Sequence, residues 1–226
     1  MGHPKLGVVY IPAHFAADDL EQVVAFVAHV GAADFVTFDG AELTASLLPV
    51  IWDRSVGEHG RLLAHLALAN QQWETALPDV PALAIVHGLQ AYISPTWYPS
   101  TAEHGRVVPT WNYQAVHFTG VLTFHPDAEW LRGVVKQLTD KYEAHRPDRW
   151  YVEDAPDAYI EGQLRGIVGV EMTITKVEAK NKLSQNRSVA DQLGAIEGLL
   201  SEPDSQAEEI AAVMHARIAE QVSEEG

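Results

Sequence analysis

The sequence contains no cysteine. Disulfides, thiolate nucleophiles and Cys-based zinc or iron–sulfur centres are therefore excluded. It also lacks a long hydrophobic run, since no stretch approaches the ~18 consecutive apolar residues that a membrane-spanning helix needs. Basic residues are scarce. Fifteen Lys and Arg stand against 31 Asp and Glu, a formal charge of -16 over 226 residues. Such a chain repels phosphate backbones, so strong direct nucleic-acid binding would need a local basic patch or a basic partner. There is no G-x-S-x-G, no Walker A sequence and no G-x-G-x-x-G, which disfavours hydrolase, NTPase and dinucleotide-fold readings. Eleven His form no H-E-x-x-H or H-x-H pair, so no metal site is expected. Met1 to Tyr10 is too short and too polar for a secretory leader, and a cytoplasmic setting is the expectation.

What is present is ordinary globular composition, 47% apolar and 20% charged. The first helical face is Leu20, Val23, Val24, Val27 and Val30, within Asp18 to Val30 and closed by Gly31. The period then changes. Ala33 to Phe38 reads as a strand, Asp39-Gly40 as a hairpin turn, and Glu42 to Trp52 as one return strand. Further strands are read at Arg61 to Ala67, Pro81 to His87, Leu89 to Ser94, Val108 to Phe124 and around Val168 to Ile174, with Gly88 and Gly120 as interruptions. Short helices are expected at Asn70 to Ala76 and from Pro156 to Arg165, and a long one at Asp127 to His145. Pro95 opens what reads as a loop to Val107. Two helices, Val189 to Leu200 and Asp204 to Val222, close the chain, the second with an Ile210, Val213, Met214, Ile218 stripe. The pattern fits a mainly β, α+β protein: a small closed barrel or, almost equally, a sandwich, with flanking helices. The expected division is residues 1–188 as the barrel domain and 189–226 as a helical extension packed on the barrel or on a dimer mate.

Four clusters carry chemistry. Tyr92 to His117 is dense in aromatics. On its strand Thr110, Asn112 and Gln114 share one face, and Trp111, Tyr113 and His117 the other. That suits recognition of a heteroaromatic ring edge, or equally an interface strand. Ala179 to Ser188 gathers Lys180, Lys182 and Arg187 beside Ser184, Gln185 and Asn186, either a phosphate site or a solvated turn. His65 to Trp73 runs from a strand end into a helix start, with Asn70 as a donor or a cap. Thr44 and Ser46 share a strand face from which hydroxyls can reach a phosphate. In the loop, Arg106 is expected to pair with Glu103.

Together these motifs resemble one family, the PaiB-type FMN-binding negative transcriptional regulators. The resemblance runs through Tyr10-Ile11-Pro12-Ala13-His14-Phe15, Ala45-Ser46-Leu47-Leu48-Pro49, His65 to Trp73, Tyr92 to Pro99, Glu103 to Tyr113, Ile167-Val168-Gly169 and Lys182 to Arg187, covering about residues 8–190. It implies an FMN-binding split β-barrel, related to pyridoxamine-phosphate oxidases, and a homodimer with FMN between subunits. The cofactor-binding residues it points to are Thr44, Ser46, His65, Asn70 and Trp73, then Thr110, Trp111 and Asn112, then Lys182, Gln185 and Arg187. Lys182 and Arg187 are expected to supply charge to the phosphate, with Ser46 and His65 as further donors. It also implies a regulator that lowers expression of other genes. An FMN-dependent oxidoreductase and a cofactor-free dimeric interaction module are the alternatives. The chain departs from the family pattern at Leu47, Leu68 and Thr101, where relatives often carry His, Arg or Lys, and Lys. Each lost charge-assisted bond is worth about 1.5–3 kcal/mol, so weakened or absent FMN binding is part of the expectation.

Overall fold

The computed structural model describes residues 9–224, and the reading of Met1 to Tyr10 falls mostly outside them. In chain order the elements are α1 (Leu20–Val30), β1 (Ala32–Phe38), β2 (Leu43–Pro49), β3 (Ile51–Asp53), β4 (Arg61–Ala67), α2 (Gln72–Thr75), β5 (Ala82–Ile93), α3 (Pro99–His104), β6 (Thr110–His125), α4 (Ala128–Glu143), α5 (Asp157–Leu164), β7 (Ile167–Lys182), α6 (Val189–Leu200) and α7 (Ser205–Glu224). All seven strands lie in one sheet, in the order β2-β1-β5-β6-β7-β4-β3.

Two compact units share these elements. Residues up to 20, 87–115 and from 179 onward form one, and residues 21–86 and 116–178 form the other. In the second unit the β1–β2 hairpin forms where the sequence places it. The Asp39 carboxylate accepts from the N–H groups of Ala41 and Glu42 at 2.8 and 2.7 Å, which fixes the turn. The expected single return strand is two strands. Pro49 ends β2, and buried Val50 donates its N–H to the Gly31 carbonyl at 2.8 Å, after which β3 pairs with β4. Gly31 stands at φ +74, the left-handed conformation that closes α1.

That break decides the architecture. β2 and β3 are the two edges of the sheet, yet Val50 alone separates them. A flat sheet cannot join its outer strands through one residue, so the sheet curls and β2 approaches β4. Hydrogen bonding does not continue across the seam. The closed barrel is thus corrected to a split one. Its interior holds Phe35, Leu62, Phe118 and Met172, all buried to within 2%. α4, capped by Asp127 accepting from Trp130 N–H at 2.8 Å, packs Val134 and Leu138 on Leu63 of β4.

Gly88 and Gly120 do not interrupt their strands. A Cβ at Gly120 would meet the Thr173 carbonyl at 2.3 Å, so this glycine marks close approach to β7 rather than a break. The expected loop after Pro95 is also structured, with a 3-10 turn over Pro95–Trp97 followed by α3. Proline at a first helical position starts a helix, because the N–H it lacks would be unbonded there anyway. Arg106 and Glu103 make no ion pair among the described residues; both are exposed, beyond and at the end of α3. β7 runs on to Lys182, so the first four of the ten residues of the expected basic turn are strand. The stripe on α7 is covered within its own unit, by α6 and by Ile93, Tyr98 and Leu183.

Candidate functional site

The residues singled out by sequence fall into two groups, one in each unit. In the barrel unit the organiser is Gln72, buried to 3% at the start of α2. Its Nε2 lies 2.9 Å from the Phe35 carbonyl, 3.1 Å from Thr37 Oγ1 and 3.1 Å from the Thr44 carbonyl. One amide thus ties α2 to β1 and β2, leaving the Thr44 side chain exposed. Asn70 precedes it. Its Nδ2 donates to Ser46 Oγ at 2.9 Å, and its Oδ1 accepts from the Gln72 N–H at 3.0 Å. Asn70 therefore caps α2 from one position further out and orients the Ser46 hydroxyl. Trp73 Nε1 donates to the Leu68 carbonyl at 3.0 Å. Ser46, Asn70 and the Thr44 backbone are brought together in this way, and Trp73 is tied back to Leu68.

His65 sits on β4 opposite Gly169 of β7. Its Nδ1 is buried without a hydrogen-bond partner among the described residues. Burial holds the imidazole below its ordinary pKa, so the neutral form is favoured. Leu47 and Leu68 are exposed, 67% and 45%, at positions where a charge was expected of relatives. The donors of this group are consequently neutral.

The second group holds the charge. Lys182 Nζ donates to Thr110 Oγ1 at 2.5 Å and to the Trp111 carbonyl, and lies 5.8 Å from the Phe15 ring. Burial first, then the neighbouring Lys180 and Arg187, push its pKa down. Lys180 stands 5.8 Å from the Tyr10 ring and 5.3 Å from that of Tyr113, and Arg187 lies 5.0 Å over Tyr98. Three cations are thus held on aromatic faces within one short stretch. Gln185 is a clip: it accepts from the Leu183 N–H at 2.6 Å and donates to the Asn181 carbonyl at 2.6 Å.

Asn112 is fully buried, bonded to Ser184 Oγ at 3.0 Å and to Met214 Sδ at 3.2 Å. The polar face of β6 is therefore turned inward at this position, and Trp111 is the exposed one, at 53%. Sequence reasoning gives Gln72 no role and places Ser184 only among the donors of a phosphate site or solvated turn. Gln72 lies within the His65 to Trp73 cluster, and its burial has no sequence signal beyond a polar residue at a helix start. Ser184 adopts φ +66, which a serine rarely does, and its hydroxyl bond to Asn112, donated at 3.1 Å, secures it.

Comparison with known proteins gives this arrangement its context. The family described as "Putative FMN-binding domain" matches residues 9–176. The chain belongs to this FMN-binding domain family. Over 214 residues it is 32% identical to the protein named Protease synthase and sporulation protein PAI 2 of Bacillus subtilis, covering 95% of this chain and all of that one. Two solved structures share the fold. A FAD and heme binding protein of Mycobacterium smegmatis aligns with a TM-score of 0.54 at 13% identity, covering 79% of this chain and 78% of that one. A conserved hypothetical protein of Mycobacterium tuberculosis aligns with a TM-score of 0.56 at 11% identity, covering 80% and 94%.

Membership of the FMN-binding family can be tested against the donors. FMN carries a phosphate dianion, hydroxyls and a planar ring with amide edges. In one unit Lys182, Lys180 and Arg187 supply positive charge suited to a phosphate; in the barrel unit, taken by itself, Ser46 and Asn70 supply neutral donors and acceptors, while the His65 Nδ1 is enclosed. The chemistry of these residues fits the cofactor.

Proposed function

We propose that this protein binds FMN and acts, as a homodimer, as a negative transcriptional regulator of the PaiB type. The observation that carries this reading is the family match over residues 9–176 joined to 32% identity along the whole of PAI 2. Lys182 and Arg187 are the residues to hold the phosphate. An ammonium whose pKa is depressed by burial and two neighbouring cations is stabilised when a dianion arrives, which makes binding and recovery of its charge one event. When bound, FMN would supply a redox-active ring. Thr110 keeps Lys182 in position. The loss of charge at Leu47 and Leu68 sets the affinity below that of relatives that keep it.

The test is a titration of flavin-free protein with FMN, followed by quenching of flavin fluorescence. Saturable binding is expected. Lys182→Ala with Arg187→Ala should weaken it about tenfold or more, which corresponds to about 1.4 kcal/mol. Unchanged affinity removes both residues from the site, and no binding at any concentration removes FMN from the function. Sedimentation at micromolar concentration should give a dimer, and a monomer would count against the assembly.

A further inference from the structure

We infer that the unit to which residues 87–115 and the chain from 179 onward belong carries a pocket that binds an organic ammonium ion. The cavity has a volume of about 220 Å3, and its walls include three aromatic side chains: Tyr92 of β5, Trp97 of the 3-10 turn and Trp111 of β6. The Tyr92 and Trp111 rings meet edge to face, with centroids 6.2 Å apart and planes at 72°. They form a corner rather than a stack. Trp97 is fixed in place by two glycines of α6. A Cβ at Gly198 would lie 2.1 Å from its ring, and one at Gly194 would lie 2.2 Å from its carbonyl oxygen. The floor is the core itself, Leu199 and Ala207.

Glu202 and Asp204, from the turn between α6 and α7, complete the lining. The Asp204 carboxylate accepts from the Gln206 N–H at 3.0 Å, whereas the Glu202 carboxylate makes no ion pair among the described residues. No basic side chain lines the cavity among those residues. Aromatic faces are the negative part of their quadrupole and attract a cation within about 6 Å. An alkylated ammonium suits them best, because its methyl groups carry the charge and it gives up little hydration on entry. Two carboxylates add to the attraction and repel anions, so the flavin phosphate is a poor occupant. A neutral apolar ligand would gain nothing from them. A volume of this size suits a group like the trimethylammonium head of choline. The assignment uses neither Lys182 nor Arg187 and does not depend on FMN binding.

Choline chloride is the probe, with 3,3-dimethylbutanol as the uncharged molecule of the same shape. Each is titrated into the full-length protein at constant ionic strength, set with sodium chloride, with tryptophan fluorescence and NMR shifts as readouts. Saturable choline binding in the millimolar range is expected, with the alcohol weaker by about fivefold or more. Glu202→Gln should weaken choline about threefold and Tyr92→Leu about fivefold, while both keep the melting temperature and the FMN titration of the parent. A flat choline titration, an equal response to the alcohol, or unchanged choline affinity in both variants overturns the assignment. So does competitive displacement of choline by FMN, which would make the cavity part of the flavin site.

Discussion

Gln72 concentrates more of the barrel unit's polar bonding than any residue the sequence singled out. Its buried amide faces two carbonyls and a hydroxyl, so Gln72→Leu keeps the volume but strands those acceptors. A loss of about 1–3 kcal/mol in chemical denaturation is expected, with Ser46 losing its orientation through Asn70. His65 gives a pH signature. Its imidazole is held below the ordinary value near 6.5, so the folded protein resists a proton that the unfolded chain accepts. Stability should therefore fall as pH drops below about 6.5, and His65→Gln should flatten the slope of melting temperature between about pH 6.5 and 5.5. A slope that survives the substitution would place the titration elsewhere. These residue-scale features were only half legible. Ser46 and Asn70 were chosen for their chemistry, but they stand 24 positions apart, and nothing local announces that one bonds the other. Asn112 shares a strand face with Thr110 and Gln114 that reads equally as ligand-facing or as an interface. Its burial depends on Ser184 and Met214, which arrive from distant elements.

At the scale of elements, α6 and α4 offer a matched pair of glycines. In α6 the space beside Gly198 is filled by the Trp97 ring, so Gly198→Ala must displace one or the other and should cost about 1–3 kcal/mol. In α4 a Cβ at Gly133 meets nothing within 4 Å, so Gly133→Ala should stabilise by about 0.5–1 kcal/mol through backbone entropy alone. Melting curves of the two variants should move in opposite directions. Helix α4 and strand β4 were readable from sequence to within two residues, because Asp127 is a strong cap and the apolar period of each is unbroken. The β2–β3 break was not. Leu48, Pro49, Val50 and Ile51 continue an apolar run, and only the fold shows that the chain changes sheet edge at Val50. The helix α3 was hidden by Pro95 and Pro99, which stop a helix from within but open one at its first turn.

The whole molecule is acidic, and many of its described cations lie on aromatic faces or in ion pairs. Arg61 is shared by Asp53 and Glu171 at 2.9 and 3.1 Å, and Arg54 is held by Glu21. With a charge of -16, the isolated protein should show no specific nanomolar complex with promoter DNA at physiological salt. An electrophoretic shift that resists added competitor DNA would refute this and make the regulation direct. Among the described residues no helix is long and apolar enough to cross a membrane.

The pairing of β4 with β7 has a consequence for synthesis. Arg61 to Ala67 lies against Ile167 to Thr173, so all of residues 68–166 are made between one strand and its neighbour. Until β7 leaves the ribosome, β4 has the three-residue β3 as its partner on one side and an open edge on the other. Leu62 and Leu66 then lack their cross-strand neighbours Met172 and Val168, and such edges recruit other chains. Nascent chains stalled after α4 should collect in the pellet, whereas chains long enough to release β7 should not.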